Sequence, residues 1–361
     1  MSRLNIPQLR LGHQKLLQTN FTEPAEVVGW LGAVQAQDFP GAKWALAQRM
    51  TGTTEAEIDR AFTDGSILRT HLLRPTWHFV TPKDIRWMLA LTAPRVHALN
   101  TFYYRKSGLD ASTLRRCRSV IAKTLKNNNH LTRTEIAAAL EKAGVSTTAE
   151  LRLAYIMMRA ELDGLICSGP RRGRQFTYAL LEERVPPVKE LTRDESLAEI
   201  VRRYFSTRGP ATLHDFAWWS GLTMADAKNG IELVKSGFVS EVIEGQQYWF
   251  SASTDSFTTS SPLAHLLPNY DEYFIGFKDR SAIGEVVRRS NVKESDPAFL
   301  ANIIIIDGQI VGGWKREIKK DAVTVELDLI TKLAKLERQA ISAAAEGYGR
   351  FLGLRVELAW K

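Results

Sequence analysis

Cysteine is nearly missing. The 361 residues hold two, Cys117 and Cys167, too few for a disulfide framework and without the spacing of a zinc site. Such scarcity suits a reducing compartment, so a cytoplasmic location is expected. Long apolar runs are missing too. The longest aliphatic stretch, Ile303 to Ile306, is far short of a bilayer span, and Met1 to Arg10 has no apolar core of a secretory signal. No membrane role is expected. The seven histidines form no metal pattern: His71 and His78 stand apart with no HxxxH or cysteine partner. There is no glycine-rich phosphate loop, no GxSxG elbow and no cysteine in a nucleophile's setting. Neither a metal nor another cofactor is expected.

What the chain does have is size, an ordinary core composition and positive charge. At 361 residues it is long enough for more than one domain, and 44% hydrophobic content is that of a globular protein. The net charge of +8 favours an anionic partner such as nucleic acid.

Periodicity divides the chain into four units. The first, 1–110, opens on a helix with Pro7 in its first turn. An amphipathic stretch follows from Glu23 to Leu31, with Val27, Val28 and Leu31 on one face. Thr54 and Glu57 have the spacing of a capping box. Ile67 to Arg74 reads as irregular and basic, Thr76 to Val80 as a strand, and Thr81-Pro82-Lys83-Asp84 as a helix start. The second unit, 111–190, has helices from Ser112, from Thr132 and from Thr147-Thr148, then a hairpin with Gly169-Pro170-Arg171-Arg172-Gly173-Arg174 at its tip. That is the order of a winged helix-turn-helix. The third unit, 191–260, repeats it, with Thr212 to Trp219 and Thr223 to Lys235 as its inner helices. Trp218 and Trp219 are read as core. The fourth, 261–361, changes character: an Asp307-Gly308 hairpin, an alternating strand from Ala322, a helix and a closing strand. The fold class expected is α+β, mostly helical, with tandem winged helices and a small β-rich, part-barrel module at the end.

Five groups of residues could carry chemistry. Gln35-Ala36-Gln37-Asp38 reads as a helix end just before the breakers Pro40 and Gly41. Two primary amides together can hold a water, or orient a sugar or base edge, without titrating; solvated helix-end residues are the plainer reading. Arg171, Arg172 and Arg174 crown a glycine-flanked tip, which suits phosphate contact. A second basic run, from Arg105 to Arg133, serves equally as a solvated helix face. His78, with Arg74 and Thr76 nearby, is either a hydrogen-bonded structural histidine or part of a site. The adjacent acids Asp271 and Glu272 either do acid–base work or brace Lys278 and Arg280, and bracing is favoured.

Taken together, Val34-Gln35-Ala36-Gln37-Asp38, Leu73-Arg74-Pro75-Thr76-Trp77-His78-Phe79-Val80 and Leu267-Pro268-Asn269-Tyr270-Asp271-Glu272-Tyr273-Phe274-Ile275-Gly276-Phe277-Lys278-Asp279-Arg280 resemble the winged-helix DNA glycosylases of the AlkZ/YcaQ type. The resemblance spans nearly the whole chain. It implies tandem winged helices, the first unit included, closed by a C-terminal β-rich domain around a cleft for DNA. It further implies a monofunctional glycosylase that excises alkylated purines from double-stranded DNA, some relatives unhooking interstrand crosslinks. Gln35 and Gln37 would then be catalytic, with Asp38, Arg74, Thr76 and His78 supporting. Lys43, Arg171, Arg172, Arg174, Lys278 and Arg280 would contact DNA, and the enzyme would work as a monomer. Ala36 is smaller than the bulky aliphatic residues the motif also allows. The rival expectation is a winged-helix regulator without chemistry.

Overall fold

Helix starts in this protein are written in threonine. Thr54, Thr132, Thr192, Thr212 and Thr223 each accept a hydrogen bond from the backbone N–H three residues on, and an acid at that position reaches back to the threonine N–H. Each box satisfies two of the amide groups a helix leaves open. The computed structural model describes residues 4–149, 151–251, 262–290 and 302–361. The expected boundary between the third and fourth units, at 260/261, lies outside them.

After α1 (Ile6–His13), the first part runs α2 (Pro24–Leu31), β1 (Val34–Gln35), α3 (Phe39–Ala47), α4 (Glu55–Asp64), β2 (Leu68–His71) and β3 (Trp77–Val80). Its sheet has the order β1-β3-β2. The segment expected to be irregular therefore contains a strand: Leu68 and Thr70 are fully buried and pair with Val80 and His78. The glutamine segment departs from expectation as well. Gly32, at φ +80°, turns the chain out of α2, and β1 pairs antiparallel with β3. Gln35 is thus a strand residue, not a helix-end residue.

The long α5 (Pro82–Lys106) leads to α6 (Ala111–Leu125), β4 (Leu131–Thr132), α7 (Arg133–Lys142), α8 (Arg152–Leu162), β5 (Ile166–Ser168) and β6 (Thr177–Leu180), with sheet order β4-β6-β5. Its third helix thus begins at Arg152, later than the threonine pair suggests. After a short α9 (Leu181–Arg184) come α10 (Arg193–Arg208), α11 (Leu213–Ser220), α12 (Met224–Val234) and the pair β7 (Phe238–Ile243) and β8 (Gln246–Ser251). Ala211 bridges to Trp249 beside β8. Among the described residues the order helix, short strand, two helices and hairpin therefore occurs twice, with the return strand in the middle, and a third time with the short strand reduced to the single Ala211–Trp249 bridge.

The last part has β9 (Ala264–Leu267), two short helices α13 (Glu272–Ile275) and α14 (Glu285–Arg289), then β10 (Ile303–Ile306), β11 (Gln309–Ile318), β12 (Ala322–Leu329), α15 (Lys335–Leu352) and β13 (Arg355–Trp360). The sheet order is β13-β12-β11-β10-β9. Asp307 and Gly308, at φ +47° and +82°, make the tight β10–β11 turn, the geometry that an Asp-Gly pair favours. β12 and β13 are parallel, with α15 as the crossover.

Two cores tie these parts together. Val34, Phe39 and Trp44 pack with Trp314, Tyr348 and Phe351 of the last part. Leu68, Val80 and Ile85 join Ile156 of the second part and Ile200, Phe216 and Trp219 of the third. Trp219 is buried as expected, but its neighbour Trp218 is exposed. The glutamine segment thus lies between two bodies of packed side chains.

Candidate active site

The register of the first sheet sets the site. Gln35 stands opposite His78, and His78 opposite Thr70, so the three side chains share one face. The loop from Leu72 to Thr76, which joins β2 to β3, carries Arg74 at φ +55°. From there an Arg74 terminal nitrogen donates to Gln35 Oε1 at 2.9 Å. Arg74 is half-buried. Burial lowers its pKa, while the negative charge of Glu272 works in the opposite direction. Thr76 closes the loop, its hydroxyl donating to Leu73 C=O at 3.1 Å.

His78 is fully buried. Its Nδ1 is 3.0 Å from Thr76 C=O, which fixes that nitrogen as the N–H, and its Nε2 has no hydrogen-bond partner. Burial, and then the charge of Arg74, push its pKa well below the ordinary value, so the ring is neutral. Gln37, in contrast, is exposed. Its Oε1 lies 3.4 Å from the Trp77 N–H. Asp38 caps α3 by accepting from Gly41 N–H and sits 3.8 Å from Arg316 of β11, a residue for which the sequence offered no local signal.

The backbone beneath the amides is pinned from three directions. Gln35 N–H donates to Glu272 Oε1 at 3.0 Å. Ala36 N–H donates to Trp77 C=O at 2.7 Å, and Ala36 C=O accepts from Arg69 Nε at 3.0 Å. Glu272 is fully buried. Its Oε2 accepts from Arg208 Nε and a terminal Arg208 nitrogen at 3.1 and 2.6 Å, and from the Trp219 indole at 2.9 Å. Arg208 also donates to Leu31 and Ala33 C=O. The neighbouring Asp271 takes two 2.9 Å bonds from buried Arg49. The two acids do brace, but their partners are Arg49 and Arg208 rather than Lys278 and Arg280. With their oxygens so engaged, neither is placed for acid–base work.

The expected DNA contacts fall into different settings. Lys43 is only 3% exposed and held by Glu55 at 2.7 Å and Asp59 at 2.9 Å. It locks α3 to α4 and presents no cation to solvent, which corrects its expected role. Arg171 also turns inward, stacking on Phe39 and Phe176 with Asp59 at 3.4 Å. Arg172 is exposed and pairs with Glu135 at 2.7 Å. Arg174 and Lys278 are exposed, and Arg280 lies over the Phe274 ring. Among the described residues no cluster of three or more His, Cys, Asp or Glu could hold a metal ion, and no helix is long and apolar enough to cross a membrane.

Comparison with known proteins bears on this arrangement. A family model described as DNA glycosylase AlkZ-like matches residues 28–351. An interstrand DNA cross-link repair glycosylase of Streptomyces sahachiroi is 24% identical over 322 residues, taking in 83% of this chain and 85% of that protein. The solved structure of Streptomyces sahachiroi DNA glycosylase AlkZ aligns with a TM-score of 0.80 over 99% of this chain and 98% of that one, at 22% identity, a likeness of fold. The family match takes in the glutamine segment, the Arg74 loop and the Asp271–Glu272 brace alike, and on its extent the chain belongs to the AlkZ-like DNA glycosylase family.

Proposed function

We propose that this protein is a monofunctional DNA glycosylase that hydrolyses the N-glycosidic bond of N7- or N3-alkylated purines in duplex DNA, with Gln35 and Gln37 positioning the water. The observation that carries this reading is the orientation of the two amides. An arginine can only donate, so the amide of Gln35 must turn its oxygen to Arg74 and its NH2 away. The Trp77 N–H likewise selects the oxygen of Gln37. A water between them accepts from Gln35 Nε2 and donates to the second lone pair of Gln37 Oε1. That leaves its own lone pair for the anomeric carbon.

An N7- or N3-alkylated purine is already cationic and leaves without being protonated. As the water oxygen bonds to C1′, the C1′–N bond breaks, its electron pair neutralises the departing ring, and one water proton passes to solvent. What the protein supplies is position and an environment for positive charge on the sugar. Asp38 is the acid of the motif and supplies negative charge there, moderated by Arg316. Neutral His78 and Thr76 keep the Arg74 loop in shape. Lys43, the lysine nearest the motif in sequence, is tied to Glu55 and Asp59, which supports a reading without a Schiff base or a lyase step.

The thrice-repeated element order supports reading 1–110, 111–190 and 191–260 as winged helices, with 261–361 as the β-rich domain. Arg174 and Lys278 are exposed cations that would meet phosphates, with exposed Arg172 and partly exposed Arg280 as further contacts. The working unit is a monomer in the cytoplasm. The relative from Streptomyces sahachiroi is named for interstrand cross-link repair, and we extend the proposed substrate to such crosslinks, where an open cleft with limited base flipping is needed.

The test is to incubate the protein with a duplex carrying one N7-methylguanine, and separately with a nitrogen-mustard crosslink, then cleave abasic sites with alkali. Strand breakage on either substrate is expected. Breakage on neither, with sequence-selective binding to undamaged DNA, would favour the regulator that repeated winged helices also suit.

A further inference from the structure

We infer that Arg69 is a positioning residue for the glutamine motif, held in place by the β5–β6 hairpin of the neighbouring unit. Resting on the glycosylase reading, it names a residue that acts through the Ala36 carbonyl rather than on the reacting atoms. The Arg69 Nε donates to the carbonyl of Ala36, the residue between the two glutamines, at 3.0 Å. The guanidinium plane lies over the Trp77 ring at 4.3 Å and the Phe176 ring at 4.9 Å. Phe176 belongs to the loop between β5 and β6 and itself packs on Phe39 at 4.9 Å. The Arg69 N–H donates to Ser168 Oγ at 2.8 Å, so backbone and side chain of Arg69 are both fixed by the second unit.

The consequence is geometric. The peptide plane between Ala36 and Gln37 is set by its carbonyl, and Arg69 is what that carbonyl meets. If this plane turns, the Gln37 side chain moves relative to Gln35, which is held separately by Glu272 and Arg74. The water they share then loses its aim, while surfaces that hold DNA are untouched. Lysine is a poor substitute. It can still donate to the Ala36 carbonyl but has no plane to lie on two rings.

The test compares wild type with Arg69→Met, Arg69→Lys and Phe176→Ala on a lesion-bearing duplex, under single-turnover conditions, with DNA affinity measured separately. The excision rate should fall about 10- to 100-fold in Arg69→Met, with Arg69→Lys between it and wild type and with affinity within about twofold. Hydrogen exchange at the amides of residues 34–38 should quicken in Arg69→Met and Phe176→Ala while the rest of the chain stays protected. A wild-type rate in Arg69→Met, or an affinity loss as large as the rate loss, overturns the assignment. If wild type itself releases no base, the glycosylase reading fails, and the exchange at 34–38 still decides whether Arg69 holds the segment.

Discussion

At the level of single residues, the site is made of groups that do not titrate near neutral pH. The amides of Gln35 and Gln37 have no such equilibrium, and buried His78 stays neutral because its pKa is pushed well below the ordinary value. Single-turnover excision should therefore be flat between about pH 6 and 8; a limb near pH 6.5 that His78→Gln removes would show a catalytic histidine instead. Stability should behave differently. His265 in β9 is buried without a partner for Nε2, and its pKa is pushed down to about 4, mainly by burial. The unfolded chain then takes up a proton below about pH 6.5 that the folded one refuses until about pH 4. This contribution to stability is intact above pH 6.5 and lost on acidification through that window, about 3 kcal/mol at most. Replacing His265 by Phe should flatten the acid limb of urea unfolding between pH 6.5 and 4; an unchanged limb would assign acid sensitivity to other groups.

At the level of elements, the β5–β6 hairpin does not project freely. Its tip residue Arg171 is folded onto the first unit, Arg172 is paired with Glu135, and Arg174 is exposed. Arg174→Ala should weaken DNA binding evenly across sequences and reduce the slope of log affinity against log salt by about 1. Arg171→Ala should instead lower thermal stability with little change in that slope. Equal salt effects from both would mean that the tip rearranges on DNA. This contrast also shows what the sequence made legible. Three arginines flanked by glycines marked the tip correctly, but which of them reach solvent depends on Asp59 and Phe39, far away in the chain, as well as on Phe176 in the same loop. The same holds for the acids. Asp271 and Glu272 read correctly as a brace, but their partners Arg49 and Arg208 lie in other units, and long-range pairing leaves no local pattern. Capping boxes and the Asp307-Gly308 turn, being local, were readable without the fold. Gln35 was read as a helix-end residue and is a strand residue, because one glycine of positive φ, Gly32, decides between helix end and strand.

At the level of the whole molecule, Glu272 is where three units meet. It receives Arg208 from α10, Trp219 from α11 and the N–H of Gln35. Arg208→Met would leave a buried carboxylate without its cation, at a cost of about 3–5 kcal/mol. Thermal unfolding should record it as a lower midpoint in one transition shared by the units. Two separated transitions would mean that the cores fold independently of this pair. Because the same carboxylate holds the Gln35 backbone, integrity of the assembly and geometry of the site are one property. On this frame, we propose, two amides aim a water. The most direct test is single-turnover release of N7-methylguanine from a duplex by wild type, Gln35→Ala and Gln37→Ala, each with its DNA affinity. Both variants should bind within about threefold of wild type, and excision should fall by about 100-fold or more. Excision at the wild-type rate in Gln37→Ala would contradict that role of the amides.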